Sequence, residues 1–239
     1  METPVLAQSA SDRFRPVASS LHTILLIAVL GGWTFWSKIH ADHLRAAANP
    51  NRLQFYLTIL LFEWFLFALA VAGVRLSGAS VLLVLGDHWH SARQVLRDIG
   101  IAAAFWVVAL GLLWILGKLL RVGEQGGNMQ FMFPHGGVEI TVWIALSVTA
   151  GICEEAIFRG YLQRQFMALT RNAPAGILLS GTAFGAAHAY QGVRMVILIS
   201  LFGTMFGILS YWRGSVRPGM IAHAWQDSLG GVVGSLMKP

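Results

Sequence analysis

Apolar residues in this chain fall into long unbroken runs, not into the mixed pattern of a water-soluble core. A helix needs about 20 mostly apolar residues to cross a bilayer. The first such run extends from about Val17 to Trp36 and gives way to the polar stretch SKIHADHLRAAANPNR. The second, Leu53 to Val74, is strongly apolar apart from Glu63. A short apolar piece from Val81 to Leu85 then meets Gly86, Asp87 and the pair His88 and His90. It is too short to span, and it predicts an interfacial helix leading into an amphipathic stretch near Arg93 and Arg97. The third run is Ile99 to Leu120, followed by the loop RVGEQGGNMQFMFPHGG, whose glycines and Pro134 forbid a continuous helix.

Beyond that loop the chain is almost entirely apolar helix with short connections. The predicted segments are Val138 to about Thr170, Ala175 to Tyr190, Arg194 to Trp212 and Arg217 to Leu236. Pro174 and Pro218 fall near the first turns of two of them, where proline is tolerated. Small residues spaced four apart, Gly181/Gly185, Gly203/Gly207 and Gly230/Gly234, let membrane helices approach closely. The fold class expected is all-α: a polytopic transmembrane bundle of about seven spans plus a short interfacial helix. Residues 1–137 would supply N-terminal helices and loops, and residues 138–239 the catalytic core.

Composition supports the membrane reading. Of 239 residues, 56% are apolar and 12% charged, with a mean hydropathy of +0.62. A soluble domain carries about 25% charged residues, so this chain has too little polar surface to cover a globule in water. Nine Trp and fourteen Phe suit the interfaces at the ends of spans. The net charge of +6 raises the question of nucleic acid. Arg13, Arg45, Arg75, Arg121, Arg171 and Arg213 are scattered between apolar runs, whereas a nucleic-acid binder gathers its cations on one face. Membrane lipid, not nucleic acid, is the expected partner of this dispersed charge.

The single cysteine, Cys153, permits no intrachain disulfide and leaves the fold to helix packing. Arg13 and Arg15 ahead of the first run resemble the start of a signal peptide. No small-x-small exit site follows and further spans come after, so a retained first span is expected. Lys and Arg divide almost evenly between alternate loops, which leaves only a faint bias toward a cytoplasmic N-terminus.

The chemistry-bearing residues collect in the C-terminal part. AGICEEAIFRGYLQR places Glu154 and Glu155 side by side after an apolar run, with Arg159 four residues beyond the second. An ionised side chain at membrane depth costs at least about 2.5–3.5 kcal/mol on insertion scales, so such residues need partners, water or function. Glu155 and Arg159 have the favourable acid-first spacing for a helical ion pair. Glu154 points about 100° away around the helix and lacks that cation, which frees it to act as a general base on water. Alternatively, both glutamates end a span at the headgroup level. SGTAFGAAHAYQG carries His188 four residues after Phe184, and PGMIAHAWQDSLGG carries His223 and Asp227 at the same spacing. Glu, His and Asp from separate helices can bind a divalent metal and activate water. They can equally polarise a carbonyl and steady its oxyanion without metal.

EEAIFR, FGAAH and HAWQD resemble, in order, the motifs EExxxR, FxxxH and HxxxN (or D) of the CPBP intramembrane proteases. That family includes type II CAAX prenyl endopeptidases and Abi-like relatives linked to bacteriocin processing and self-immunity. The resemblance covers roughly Val138 to Leu236. It implies an intramembrane endopeptidase, of metalloprotease or glutamate-protease type, acting on a membrane-anchored or prenylated substrate in a bacterial inner membrane. Glu154 would activate water, and Glu155 with Arg159 would support the site. His188 and His223 would bind metal or oxyanion, and Asp227 would complete the polar cluster. The implied metal ligands are Glu154, His188 and His223, for Zn2+ or another divalent ion. Asp227 departs from the commoner Asn and adds a negative charge, which favours a bound cation or a protonated neighbour.

Other polar residues have plainer readings. Glu63 either lines a substrate path or is satisfied by a neighbouring helix. Glu139 begins a helix, where its charge suits the dipole. His88, His90 and His135 fall in interfacial loops, and Cys153 reads as small-residue packing. Two other functions fit the same composition. One is a proton- or ion-coupled carrier, which would ordinarily show internal repeats that are missing here. The other is a non-catalytic membrane adaptor or immunity protein, which the intact motif set argues against.

Overall fold

The computed structural model describes residues 14–122 and 129–236, so Arg13 and the loop residues 123–128 lie outside the described residues. The described residues form helices and turns throughout. In order these are α1 (Ser20–Ala46), α2 (Arg52–Leu76), the short α3 (Leu82–Leu85), α4 (Ala92–Leu119), α5 (Gly136–Glu154), a π-helical segment (Glu155–Leu162), α6 (Gln163–Thr170), α7 (Ala173–Ala187), α8 (Val193–Arg213) and α9 (Arg217–Leu236). The all-α polytopic bundle and the short helix after the second span are as expected.

Among the described residues, five helical stretches are long and apolar enough to cross a membrane: α1, α2, α4, the composite Gly136–Thr170, and α8. This is fewer than the seven spans expected. α7 is only 15 residues long, and α9 has the length but carries His223, Gln226 and Asp227. Leu61, Val107, Trp114, Ile208 and Val233 all present their side chains outward, which a bilayer solvates and water would not.

Several boundaries differ from those the hydropathy predicts. α1 continues ten residues past Trp36 to Ala46, because the following stretch lacks glycine and proline and is laced by local contacts. Trp33, Trp36 and His40 stack in succession along one face, and Arg45 pairs with Asp42 at 2.7 Å. α4 likewise begins at Ala92, capped by the Ser91 hydroxyl, so the amphipathic stretch and the third span are one helix. Asn51 and Asn172 cap α2 and α7 in the same manner, each side-chain oxygen accepting a backbone N–H at the helix start.

The largest difference lies in the segment Val138 to Thr170, predicted as one regular helix. Its middle, Glu155–Leu162, is π-helical and buried throughout. Wider turns shift the register of side chains on either side of it, and such insertions recur at functional sites. Contacts from neighbouring helices hold it. The Ser180 hydroxyl donates to the Phe158 carbonyl at 2.6 Å, and Tyr161 hydrogen-bonds with His22 at 2.8 Å and Thr23 at 3.1 Å. α3 lies against Gly160, where any Cβ would overlap the Val84 carbonyl. Next along the chain, Gln165 accepts from Val17 N at 2.6 Å and donates to the Ala18 carbonyl at 2.9 Å, tying the start of α1 to the centre of the bundle.

α5 and α9 run against each other at very short range. A Cβ on Gly151 would lie 2.7 Å from the Met220 carbonyl oxygen and 2.9 Å from Ala224 N. α7 packs on α8 through Gly181 and Gly185 in the same way, as the small-residue spacing predicts. Gly203 and Gly207 instead face Arg159, Phe184 and Gln163, so they make room for polar side chains from the π-helical segment.

Candidate active site

The end of α5 and the π-helical segment present Glu154, Glu155 and Arg159 toward α9. Glu155 is fully buried, and Arg159 donates to its carboxylate at 2.8 Å, the ion pair expected from their spacing. Arg159 also donates to the Gly203 carbonyl on α8 at 3.1 Å. Its guanidinium lies 4.3 Å from the centre of the Phe184 ring and 5.1 Å from that of Phe206. A cation in hydrocarbon is tolerable under these conditions: a paired carboxylate, a carbonyl and flanking aromatic faces.

His223, from the second turn of α9, stands between the two glutamates. Its Nδ1 is 3.2 Å from Glu155 Oε1, while its Nε2 is 3.5 Å from both Glu154 Oε2 and Asp227 Oδ2. The adjacent positions 154 and 155, pointing in different directions, therefore grip one imidazole from two sides. The ring is buried, packed edge-on to Phe184 and tilted on Phe206. Gly219 makes this approach feasible, since a Cβ there would sit 2.9 Å from Glu155 Oε2. Asp227 is the most open member, with 38% of its side chain exposed, against 17% for Glu154. Trp143 donates to the Asp227 backbone carbonyl at 2.8 Å and fixes that turn of α9 against α5.

His188 is placed differently from expectation. α7 stops at Ala187, so His188 is its C-cap instead of a residue in mid-helix. Its Nδ1 is 2.9 Å from the Phe184 carbonyl oxygen. An oxygen acceptor there requires Nδ1 to carry the hydrogen, which leaves Nε2 of the neutral ring as the free lone pair. His188 borders the cluster across the Phe184 ring, 4.8 Å between centres, not through a hydrogen bond to the glutamates.

Glu154, Glu155, Arg159, His223 and Asp227 are thus drawn into one polar cluster, with His188 on its edge. Among the described residues no three His, Cys, Asp or Glu side chains are placed to hold one metal ion. Within the expected ligand trio, His223 turns its Nε2 to Glu154 and Asp227, while His188 approaches across Phe184. These side chains do not fit a three-ligand centre as they stand.

Three residues near the cluster carried little or no sequence signal. Glu63 on α2 is buried, and Glu154 is among the charged groups that act on it. Tyr190, in the short turn after α7, sets its ring 6.1 Å from that of His188. Gln163 donates to the Gly207 carbonyl at 3.1 Å, one turn beyond the contact Arg159 makes with Gly203. The Glu63 carboxylate in mid-span was the one available clue. Nothing in the sequence marks Tyr190 or Gln163 as near the site.

Buried acids, a guanidinium and an imidazole thus meet between the end of α5, the π-helical segment and α9. The family model described as type II CAAX prenyl endopeptidase Rce1-like matches residues 136–229, which hold all three motifs. The chain carries a domain of that family, and the CPBP resemblance of its motifs is borne out. The match supports a CAAX-type intramembrane protease at the level of the family, and the apolar helices support an integral, multi-pass membrane protein. No curated protein and no solved structure matches it.

Proposed function

We propose that this protein hydrolyses a peptide bond in a membrane-anchored or lipidated substrate, with Glu154 activating the attacking water. The observation that carries the proposal is the unequal treatment of two neighbouring glutamates. Glu155 is fully buried and committed to Arg159, whereas Glu154 is partly open and has a buried oxygen, Oε2, with no hydrogen-bond donor. One carboxylate holds the framework and the other is available to a ligand.

In this reading Glu154 accepts a proton from water as the oxygen attacks the scissile carbonyl carbon. His223, with hydrogen on both ring nitrogens, donates to Glu155 through Nδ1 and presents Nε2 to the reaction. That form supplies the proton the leaving amine needs when the carbon–nitrogen bond breaks, and Glu154 returns its proton to the ring as the cycle closes. Glu155 and Arg159 fix the orientation of His223 instead of reacting. His188 carries a free Nε2 lone pair in its neutral form, which suits a proton acceptor or a metal ligand. Stabilising an oxyanion would require a second proton on that ring. Zn2+ or another divalent ion was the expectation for Glu154, His188 and His223, but these groups do not converge on one point, so no step here runs through a metal.

Residues 138–239 act as the catalytic core in this proposal, and residues 1–137 supply helices around it. The membrane is proposed to be a bacterial inner membrane. Purified protein in proteoliposomes, offered lipid-anchored peptides in H2 18O, is expected to release a fragment whose new carboxyl group carries one 18O. Intact peptides after prolonged incubation, alongside substrate-driven proton flux, would support the carrier reading instead.

A further inference from the structure

We infer that the groove between α5, α9 and the turn after α3 binds an anionic phospholipid of the surrounding bilayer, with its phosphate on Arg217 and one acyl chain along α9.

The groove has a volume of about 460 Å³ and a two-part lining. Leu85, Val148, Ile152 and Ala224 make its walls apolar, while Arg217, Asp87, His88 and Trp89 form its polar end. Arg217 and Ala224 are seven residues apart on α9, about 10 Å along the axis at 1.5 Å per residue. Val148 on the α5 wall is 44% exposed, on the surface that a bilayer solvates. Apolar walls of that length offer a peptide no side-chain hydrogen bonds, and they suit an alkyl chain. The far end lies against Ile152 and Ala224, so the chain packs on the α5–α9 pair that carries the polar cluster.

The polar end has more cations than anions. Arg97, Arg213 and Arg217 approach the buried Asp98 carboxylate at 3.9, 2.7 and 3.6 Å. Asp87 is the second carboxylate here, and it accepts from His88 N at 2.7 Å and lies 4.0 Å from His90 Nε2. Arg217 is held in place: its Nε donates to the Ser215 hydroxyl at 3.2 Å, and its guanidinium lies 4.9 Å from the centre of the Trp89 ring. Its Nη1 is nevertheless buried with no acceptor, as is the Nε of Arg213. A buried donor without a partner is costly, and a phosphate oxygen would satisfy it through a charge-assisted bond. Basic pockets between membrane helices take anionic headgroups in this way, and tryptophan favours the same depth. A lipidated peptide carries its alkyl chain on an amide or a thioether, with no anion at the head of the chain. The bilayer's own anionic lipid matches both ends of the groove.

The test uses full-length protein purified in a non-ionic detergent and titrated with phosphatidylglycerol or phosphatidylcholine of identical chains. Native mass spectrometry counts the lipid retained. Wild type is expected to favour phosphatidylglycerol by about fivefold to tenfold, the worth of about one headgroup-level cation. Arg217→Gln is expected to abolish that preference. Val148→Trp fills the groove from an exposed position and is expected to weaken phosphatidylglycerol binding with Arg217 intact; it decides the matter if the Arg217 variant fails to fold. Equal retention of the two lipids by wild type would overturn the inference, as would unchanged binding in either variant. Displacement of the lipid by equimolar inorganic phosphate would leave the acyl chain no role and overturn it too. Retention of a lipid-anchored peptide in place of phosphatidylglycerol would assign the groove to substrate, with the same consequence. Binding is read without cleavage, so the outcome is independent of the protease reading.

Discussion

The imidazole of His223 donates through Nδ1 toward Glu155 Oε1 at 3.2 Å, and this contact joins the first and third motifs across the α5–α9 interface. It lies where the two helices are closest, because Gly151 and Gly219 have no side chains to hold them apart. The carboxylate is in turn braced by Arg159, so a guanidinium, a carboxylate and an imidazole form one connected row. Replacing His223 by Asn or Gln is expected to lower cleavage by about 10²–10⁴-fold, the usual contribution of a positioned acid–base group. The measurement is initial rate in proteoliposomes at matched insertion levels.

Arg159 makes two directed bonds and lies over two aromatic faces, a combination that lysine cannot reproduce. Arg159→Met leaves Glu155 buried without its cation and is expected to destabilise the fold by about 3–5 kcal/mol. Arg159→Lys is expected to recover only part of that. Thermal unfolding in detergent, followed by circular dichroism, reads both.

Gly151→Ala tests the closeness of α5 and α9. The added methyl meets backbone atoms of α9, which cannot move aside as a side-chain tip can. Overpacking of this kind costs about 1–3 kcal/mol, and here it also separates Glu154 from His223. The expected result is a protein that inserts, melts earlier and loses most of its activity.

A second buried acid supplies a contrasting case. Asp98, fully buried on α4, accepts from Arg213 at 2.7 Å and from the Trp89 indole at 2.9 Å, with Arg217 at 3.6 Å. This group ties α4 to the end of α8 and the start of α9 without touching the glutamates. Asp98→Ala is expected to lower stability by about 3–5 kcal/mol by stranding its arginines. The rate per folded molecule, measured well below the new melting point, should stay near that of wild type.

Much of the site could be read from residue types alone, because charged groups in apolar helices are conspicuous. Glu154, Glu155, Arg159, His223 and Asp227 stand out in this way, and the four-residue spacing of Glu155 and Arg159 foretells their ion pair. The π-helical segment could not be read, since any residues that favour an α-helix also suit a wider turn, and neighbours such as Ser180 and Val84 decide the register. His188 misled for a related reason: Phe184 and His188 have helical spacing, yet the helix ends at Ala187 and the His188 ring is fixed by a backbone carbonyl. Asp98 follows Arg97 at the edge of an apolar run, a pattern that resembles a headgroup-facing pair. Only the return of α8 and α9 to that edge buries it.

Glu154→Gln is the most direct test, since the amide keeps the size of the side chain and removes its capacity to take a proton from water. Rates are compared on one membrane-anchored peptide, with inserted protein quantified and bound metal measured in the same preparations. The account predicts normal insertion and a cleavage rate lower by about 10²–10⁴-fold. A Glu154→Gln protein that cleaves at the wild-type rate would contradict it.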